Sequence, residues 1–343
     1  MNPNDAPQRP KSKAKVIVAI AALTFLVALF SWWSARRDRV GTLRSITIAQ
    51  YGDVFLYAPL YIAKDAGFFA RKGLDVSLVS TGGDEKTWAA VISGSASFGV
   101  ADPTFVAISD SRGQPGRVIA SIVNGVPFWG VTLRQDIKPF SGPRDLDSHT
   151  VATFPAPSTA YTLQRKMFMQ AGLKPMIREG AFGTLLTMLR AGQADIALEL
   201  EPNVSQAEPE GARIVYSMPE VYGDFAITGL TATPESLARD PELARSVVCG
   251  LQMALDYAHR QPEASLQILT KRFPEIKPAI AKSAFTRLLA TGIVPKSVVV
   301  QSTAWEKAIG LRVEVGDLTA AKSLASYVDN TFSDGAMKSC HID

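Results

Sequence analysis

The sequence predicts an α/β fold of two lobes facing each other across a cleft, and the first observation behind it is an internal echo. From Gly73 the chain reads Gly-Leu-Asp-Val-Ser-Leu-Val-Ser-Thr-Gly-Gly, then a helix-like stretch, then Ser-Gly-Ser-Ala-Ser-Phe-Gly-Val-Ala-Asp-Pro ending at Pro103. From Gly172 it reads Gly-Leu-Lys-Pro-Met-Ile-Arg-Glu-Gly, a second helix-like stretch, then Ala-Gly-Gln-Ala-Asp-Ile-Ala-Leu-Glu-Leu-Glu-Pro ending at Pro202. Gly73 matches Gly172, Gly82 matches Gly180, Gly94 matches Gly192 and Pro103 matches Pro202, at an offset of 98 or 99 residues. That period is too long for a solenoid repeat and suits one copy per lobe. A second observation is size: 343 residues at 47% hydrophobic content can fill two cores.

The elements follow in order. Residues 46–50 alternate as a strand, and 59–66 open a helix. Gly67 and Gly73 punctuate the return to a strand over 74–80. Thr81-Gly82-Gly83-Asp84 turns into a helix with Asp84 as an N-cap, closed by Gly94 before a buried strand at 98–101. Strands follow at 118–123 and 130–133, and a polar connection covers 136–147. The second lobe opens with a strand at 151–154 and a helix to 171 that Ser158 or Thr159 caps. Further strands are expected at 214–217 and 225–232. Thr233-Pro234-Glu235 has cap, proline and acid in the order that starts a helix. The remainder is helical over 242–259, 263–272, 278–289, 303–309 and 320–332.

Net charge +4 misleads, because residues 1–44 hold eight basic and two acidic residues. Removing these from 36 and 32 leaves 28 basic and 30 acidic residues, so the rest of the chain gives no footprint for nucleic acid. Residues 1–14 are Pro-, Asn- and Lys-rich and are expected to be disordered. Val16 to Trp33 runs eighteen residues without a charge, about 27 Å as a helix, near the minimum for a membrane span. Trp32 and Trp33 suit an interfacial belt and spoil a small-residue cleavage site, so an anchor at 15–35 is favoured over a cleaved signal. Four basic residues precede the span and four follow it within a short distance, which leaves orientation open. Cys249, in an apolar helical stretch, reads as a small core residue; a bridge to Cys340 requires an oxidising compartment. No metal-ligand spacing occurs, and no cofactor is called for.

The stretch Tyr57-Ala-Pro-Leu-Tyr-Ile-Ala-Lys-Asp-Ala-Gly-Phe-Phe-Ala-Arg-Lys-Gly-Leu-Asp-Val76 resembles the opening signature of one group of ABC-importer solute-binding proteins. That group serves thiamine-pyrimidine precursors, nitrate, and taurine or other alkanesulfonates. Gly94-Ser-Ala-Ser-Phe-Gly-Val-Ala-Asp102 resembles its Gly-x-Ala-Asp-Phe-Gly pattern, and Leu200-Glu201-Pro202 its Trp-Glu-Pro-like turn, with Leu where Trp is frequent. The resemblance covers about 44–332. It implies a type II periplasmic-binding-protein fold with two crossovers, near 124–134 and 222–229. Lobe one is then 44–128 plus 229–343 and lobe two 129–228. It also implies ABC permease and ATPase partners, hinge closure around a small-molecule ligand, and a monomer on the periplasmic or extracellular face, here anchored to the cell membrane.

Cleft residues are sought where polar loops leave strand ends. Gln50, Tyr51, Asp53 and Tyr57 follow the first strand; Thr81, Gly82 and Gly83 offer a turn at a helix start; Asp102 and Pro103 end a buried strand. Asn124 and Tyr222 fall at the crossovers, while Phe154, Ser158 and Thr159 form the second lobe's counterpart loop. Glu199 and Glu201 end a strand, and alternation turns at least one toward the cleft. Each has a plain alternative as cap, core or solvated loop. A surround of acids and aromatics favours a pyrimidine- or amine-like ligand over a sulfonate or nitrate. A sensor module for a signalling partner is the alternative function. An enzyme is disfavoured, since His149, His259 and His341 lie near no Gly-x-Ser-x-Gly elbow and the Cys-rich cluster of a pyrimidine-synthesising fungal relative is missing.

Overall fold

The computed structural model describes residues 43–156 and 158–342. The tail at 1–14 and the anchor at 15–35 lie outside them. Among the described residues no helix is long and apolar enough to cross a membrane.

Among the described residues, ten strands form two five-stranded sheets. The first takes β1 (Arg44–Gln50), β2 (Leu74–Ser80), β3 (Phe98–Ala101), β4 (Arg117–Asn124) and β10 (Ala226–Ala232), in the order β2-β1-β3-β10-β4. The second takes β5 (Trp129–Thr132), β6 (Val151–Thr153), β7 (Ile177–Glu179), β8 (Ile196–Glu199) and β9 (Arg213–Ser217), in the order β7-β6-β8-β5-β9. Strand for strand the orders correspond, with β2 as β7, β1 as β6, β3 as β8, β10 as β5 and β4 as β9. β1 and β3 pair in parallel as β6 and β8 do, and β10 runs antiparallel to both neighbours as β5 does. The repeated segments in the sequence are therefore one topology used twice. Gly94 and Gly192 show why glycine recurs: each follows a helix at φ near +75° and +66°, the left-handed closure that β-carbons resist.

The chain passes from the first sheet to the second between Asn124 and Trp129, and returns between Ser217 and Ala226. These connectors lie side by side. Asn124 Nδ2 donates to Asp224 at 2.7 Å, and Gly125 N donates to the Phe225 carbonyl at 2.8 Å.

After β10 come helices Pro234–Arg239, Pro241–Arg260, Pro262–Arg272 and Pro278–Ala290, each opened by a proline whose missing N–H costs nothing in a first turn. Two elements depart from the sequence reading. Helix Ser302–Glu314 continues through Gly310, because Trp305, Ala308, Ile309, Leu311 and Arg312 all bury on one side and packing outweighs the glycine penalty. Residues 320–332 do not form one helix. The free edge of β4 captures the segment instead: Val118 N donates to the Tyr327 carbonyl at 2.8 Å and Asp329 N to the Val118 carbonyl at 2.9 Å. Asn330 clamps Val300 by both its amide groups, and the last helix starts only at Thr331 and runs to Ser339. A third difference concerns Cys249, which is not a free core thiol: it is bonded to Cys340.

Candidate ligand cleft

Between the sheets lies a cavity of about 500 Å³, walled by loops that leave the strand ends. The first half contributes Tyr51 and Tyr57 beyond β1, Gly82 to Glu85 beyond β2, and Asp102 and Phe105 beyond β3. The second half contributes Phe154, Ser158 and Thr159 beyond β6, Phe182 beyond β7, and Leu200 beyond β8. Phe128 of the first connector, Thr228 of β10 and Arg312 complete the polar and aromatic lining. A wider groove of about 940 Å³ on the surface holds Asp53, Asp65 and Arg272. There the charges close on one another, with Arg272 3.1 Å from Asp53 and 3.3 Å from Asp65. We take the inter-sheet cavity as the candidate site, because loops from both sheets converge on it.

Its polar floor is an ordered network. Arg312 is 5% exposed and donates through Nη2 to Asp102 Oδ2 at 2.6 Å, through Nη1 to Asp317 at 3.0 Å, and through Nε to the Thr104 hydroxyl at 2.9 Å. Thr159 of the second half joins it, donating to Asp102 Oδ2 at 3.2 Å and lying 3.4 Å from Arg312 Nη2. Asp102 Oδ1 also accepts from Thr104 N at 2.9 Å. Asp102 and Arg312 are thus satisfied by each other and their neighbours, and the network joins both halves.

Asp84 differs. Its Oδ1 accepts from Asp102 N at 3.0 Å, while Oδ2 has no protein partner among the described residues. Burial, then the neighbouring Asp102 charge, push its carboxyl up to about 7, against the opposing pull of the Asp102 N–H and Arg312. Tyr57 is pushed well above the usual phenol range by burial and by Asp84, and Tyr51 is raised by burial and by Asp84 and Glu85.

Of the residues expected at the cleft, Tyr51, Tyr57, Gly82, Gly83, Asp102, Phe154, Ser158 and Thr159 line the cavity. Ser158 also caps its helix, accepting from Tyr161 N at 3.2 Å. The others stand elsewhere. Gln50 is buried behind the wall, where its amide meets Asp53 at 3.0 Å and the Tyr61 hydroxyl at 3.2 Å. Thr81 bonds the Thr87 hydroxyl at 2.7 Å, Pro103 backs onto Gly229, and Asn124 fastens the connectors. Tyr222 donates to the Leu163 carbonyl at 3.2 Å. Glu201 pairs with Arg287 at 2.6 Å and with Ser205, while Glu199 is fully buried and bonded to Asn203 at 3.0 Å. Among the lining residues that sequence reading did not assign to the site, three matter most. Asp84 looked like a cap but sits one position inside its helix, after Gly83. Arg312 lay beyond a helix read as ending at Ile309. Phe182, between two glycines, carried only the weak signal of an aromatic in a loop.

Glu199 carries a separate prediction. Burial raises its carboxyl to about 7, and Oε1 has no partner among the described residues. A folded-state value above the ordinary one means its contribution to stability is present at low pH and lost as pH rises through 7. Glu199→Gln is expected to be close to neutral at pH 5 and to stabilise by up to about 3 kcal/mol at pH 8. Denaturant unfolding of both proteins across that range checks this; parallel pH profiles refute it.

Comparison with known proteins agrees with this architecture. Residues 55–265 match the family model described as NMT1/THI5 like. YtlA of Bacillus subtilis (strain 168), whose name assigns it provisionally to the binding proteins, is 22% identical over 257 residues, covering 72% of this chain and 76% of its own. The periplasmic aliphatic sulphonate binding protein SsuA from Escherichia coli has a similar fold, with a TM-score of 0.67 at 16% identity over 84% of this chain and 92% of its own. So has a ligand-binding component of an ABC-type import system from Staphylococcus aureus, solved with zinc bound, with a TM-score of 0.68 at 13% identity over 85% and 99%. These relatives are named as binding proteins or as a ligand-binding component. Its signature stretch, its doubled sheet order and the match over 55–265 place the chain in the NMT1/THI5-like family.

Proposed function

We propose that the chain is the solute-capturing component of an ABC importer, holding a small pyrimidine- or amine-like ligand between its two halves. The observation that carries the ligand chemistry is the contrast between two side chains in the cleft. Arg312 spends its guanidinium on Asp102, Asp317, Thr104 and Thr159, whereas Asp84 keeps one carboxylate oxygen open. An entering sulfonate or nitrate meets a cation already paired and two acids, Asp84 and Glu85, at the wall. A nitrogen that donates a hydrogen bond, charged or neutral, meets an unoccupied acceptor.

Permease and ATPase subunits are the partners in this reading, and the monomer is tethered to the cell membrane by the apolar segment at 16–33. The periplasmic or extracellular face suits the Cys249–Cys340 bond, which persists in oxidising surroundings. The import-system name of the Staphylococcus aureus relative supports the transporter partnership. The sulphonate named for SsuA defines the rival ligand class.

A thermal-shift screen of pyrimidines, amines, sulfonates, nitrate and bicarbonate tests the reading. A ligand at one hundred times its dissociation constant adds about 2.7 kcal/mol of stability. Shifts are expected from the pyrimidine or amine set. Shifts from the anions alone overturn the proposed ligand chemistry and leave an anion binder.

A further inference from the structure

We infer that the cleft contains a stacking slot for a planar aromatic ring, and that Phe182 is its exposed face and its specificity-determining residue. The inference rests on reading the cleft as the solute site.

Phe182 is an anomaly of burial. It is 49% exposed while it lines the cavity, although a phenyl side chain is ordinarily covered in a folded core. It does not stand alone. Its ring stacks on Phe154 with centroids 6.0 Å apart and planes 23° apart, and Phe154 leans on Phe128 at 5.9 Å. Phe154 and Phe128 are 9% and 8% exposed, so two packed rings hold the inner side of the third. The outer side of Phe182 faces the cleft, and Tyr51 of the opposite half stands in the same cavity. A flat ring entering between the halves therefore finds one rigidly backed aromatic surface from one sheet and a half-buried phenol from the other. Offset stacking of this kind favours planar π systems over saturated rings of equal size.

The loop that carries Phe182 is built to set its position. Gly180 follows β7, where a β-carbon would come within 2.6 Å of the Met188 sulfur and 2.7 Å of the Leu185 side chain, so a larger residue there would have to push those side chains aside. Gly183, on the other flank, adopts φ +81°, a conformation open to glycine and strained for other residues. The Gly180 N–H holds the loop to the Thr153 carbonyl at 2.9 Å.

The test compares planar aromatic probes with non-aromatic counterparts on the full chain. One pair carries a nitrogen donor, aminopyrimidine against cyclohexylamine; the other carries an anion, benzenesulfonate against ethanesulfonate. Affinities are measured for the wild type and for Phe182→Ala and Phe182→Leu, with Phe182→Trp as a fluorescent reporter. Circular dichroism verifies that each variant is folded. In whichever pair binds, Phe182→Ala and Phe182→Leu are expected to weaken the planar member by roughly tenfold and to leave the other within about twofold. Phe182→Trp is expected to retain the planar ligand and to show quenched emission on binding. Equal loss for both members, or no loss for either, overturns the slot. Binding of the sulfonate pair alone, with the ring-selective loss intact, keeps the slot and removes the donor-ligand reading. No binding by either pair overturns both.

Discussion

Replacing Arg312 with Met is expected to cost about 3–5 kcal/mol of stability, the loss that follows when a buried ion pair is broken from one side. The guanidinium lies 5% exposed and its partner Asp102 9% exposed, so neither charge can turn to water when the other is removed. The variant leaves Asp102 beside Asp84 with no cation between them and the cleft. Arg312→Lys is expected to recover little, because three nitrogens of one planar group reach Thr104, Asp317 and Asp102 from different edges and a single ammonium cannot. Asp102→Asn in the Arg312→Met background is expected to return part of the loss. Urea unfolding of the single and double variants measures all three. A cost under about 1 kcal/mol for Arg312→Met would mean that the network does not compensate a buried charge.

Asp84→Asn is expected to weaken a cationic or amine ligand by about ten- to a hundredfold, the worth of one charge-assisted hydrogen bond in a sheltered site. The pH dependence gives a sharper signature. Because the carboxyl is held up at about 7, a cationic ligand must draw it into the ionised form, and wild-type affinity should rise close to tenfold per unit from pH 5 toward 7 and level off above it. The same sign governs folding: Asp84 contributes stability at low pH that is lost as pH rises through 7, so Asp84→Asn should gain on the wild type in alkaline buffer. Calorimetric titrations at several pH values decide the matter. A flat wild-type profile, or an unchanged affinity in Asp84→Asn, removes Asp84 from the ligand contacts.

The two-sheet architecture was legible because it is written locally and twice. Gly94 and Gly192 end matching helices, Phe98 to Ala101 and Ile196 to Leu198 are short apolar runs, and Thr233-Pro234-Glu235 announces a helix start. The cleft was legible in part for the same reason: residues that directly follow a strand, such as Tyr51, Asp102 and Phe154, arrive where strand ends gather. What escaped depends on partners distant along the chain. Glu201 reads as a polar residue at a strand end, yet Arg287, eighty-six positions later, holds it. Arg312 reaches the cleft floor only because core packing carries its helix across Gly310. Segment 320–332 has helix-compatible composition and was taken instead by the edge of β4, a competition no local pattern reports. Cys249 sits among apolar residues and finds Cys340 only after the chain has folded.

Asn124 has a last consequence. The two passages between the sheets are laced at one edge by its bonds to Asp224 and Phe225 and by the bond from Gly125. Two ribbons stitched together cannot slide or twist independently, so they flex as a single leaf. If the halves close on a solute as proposed, this lacing favours one movement, the opening of a book about its spine, and directs the response along that one axis.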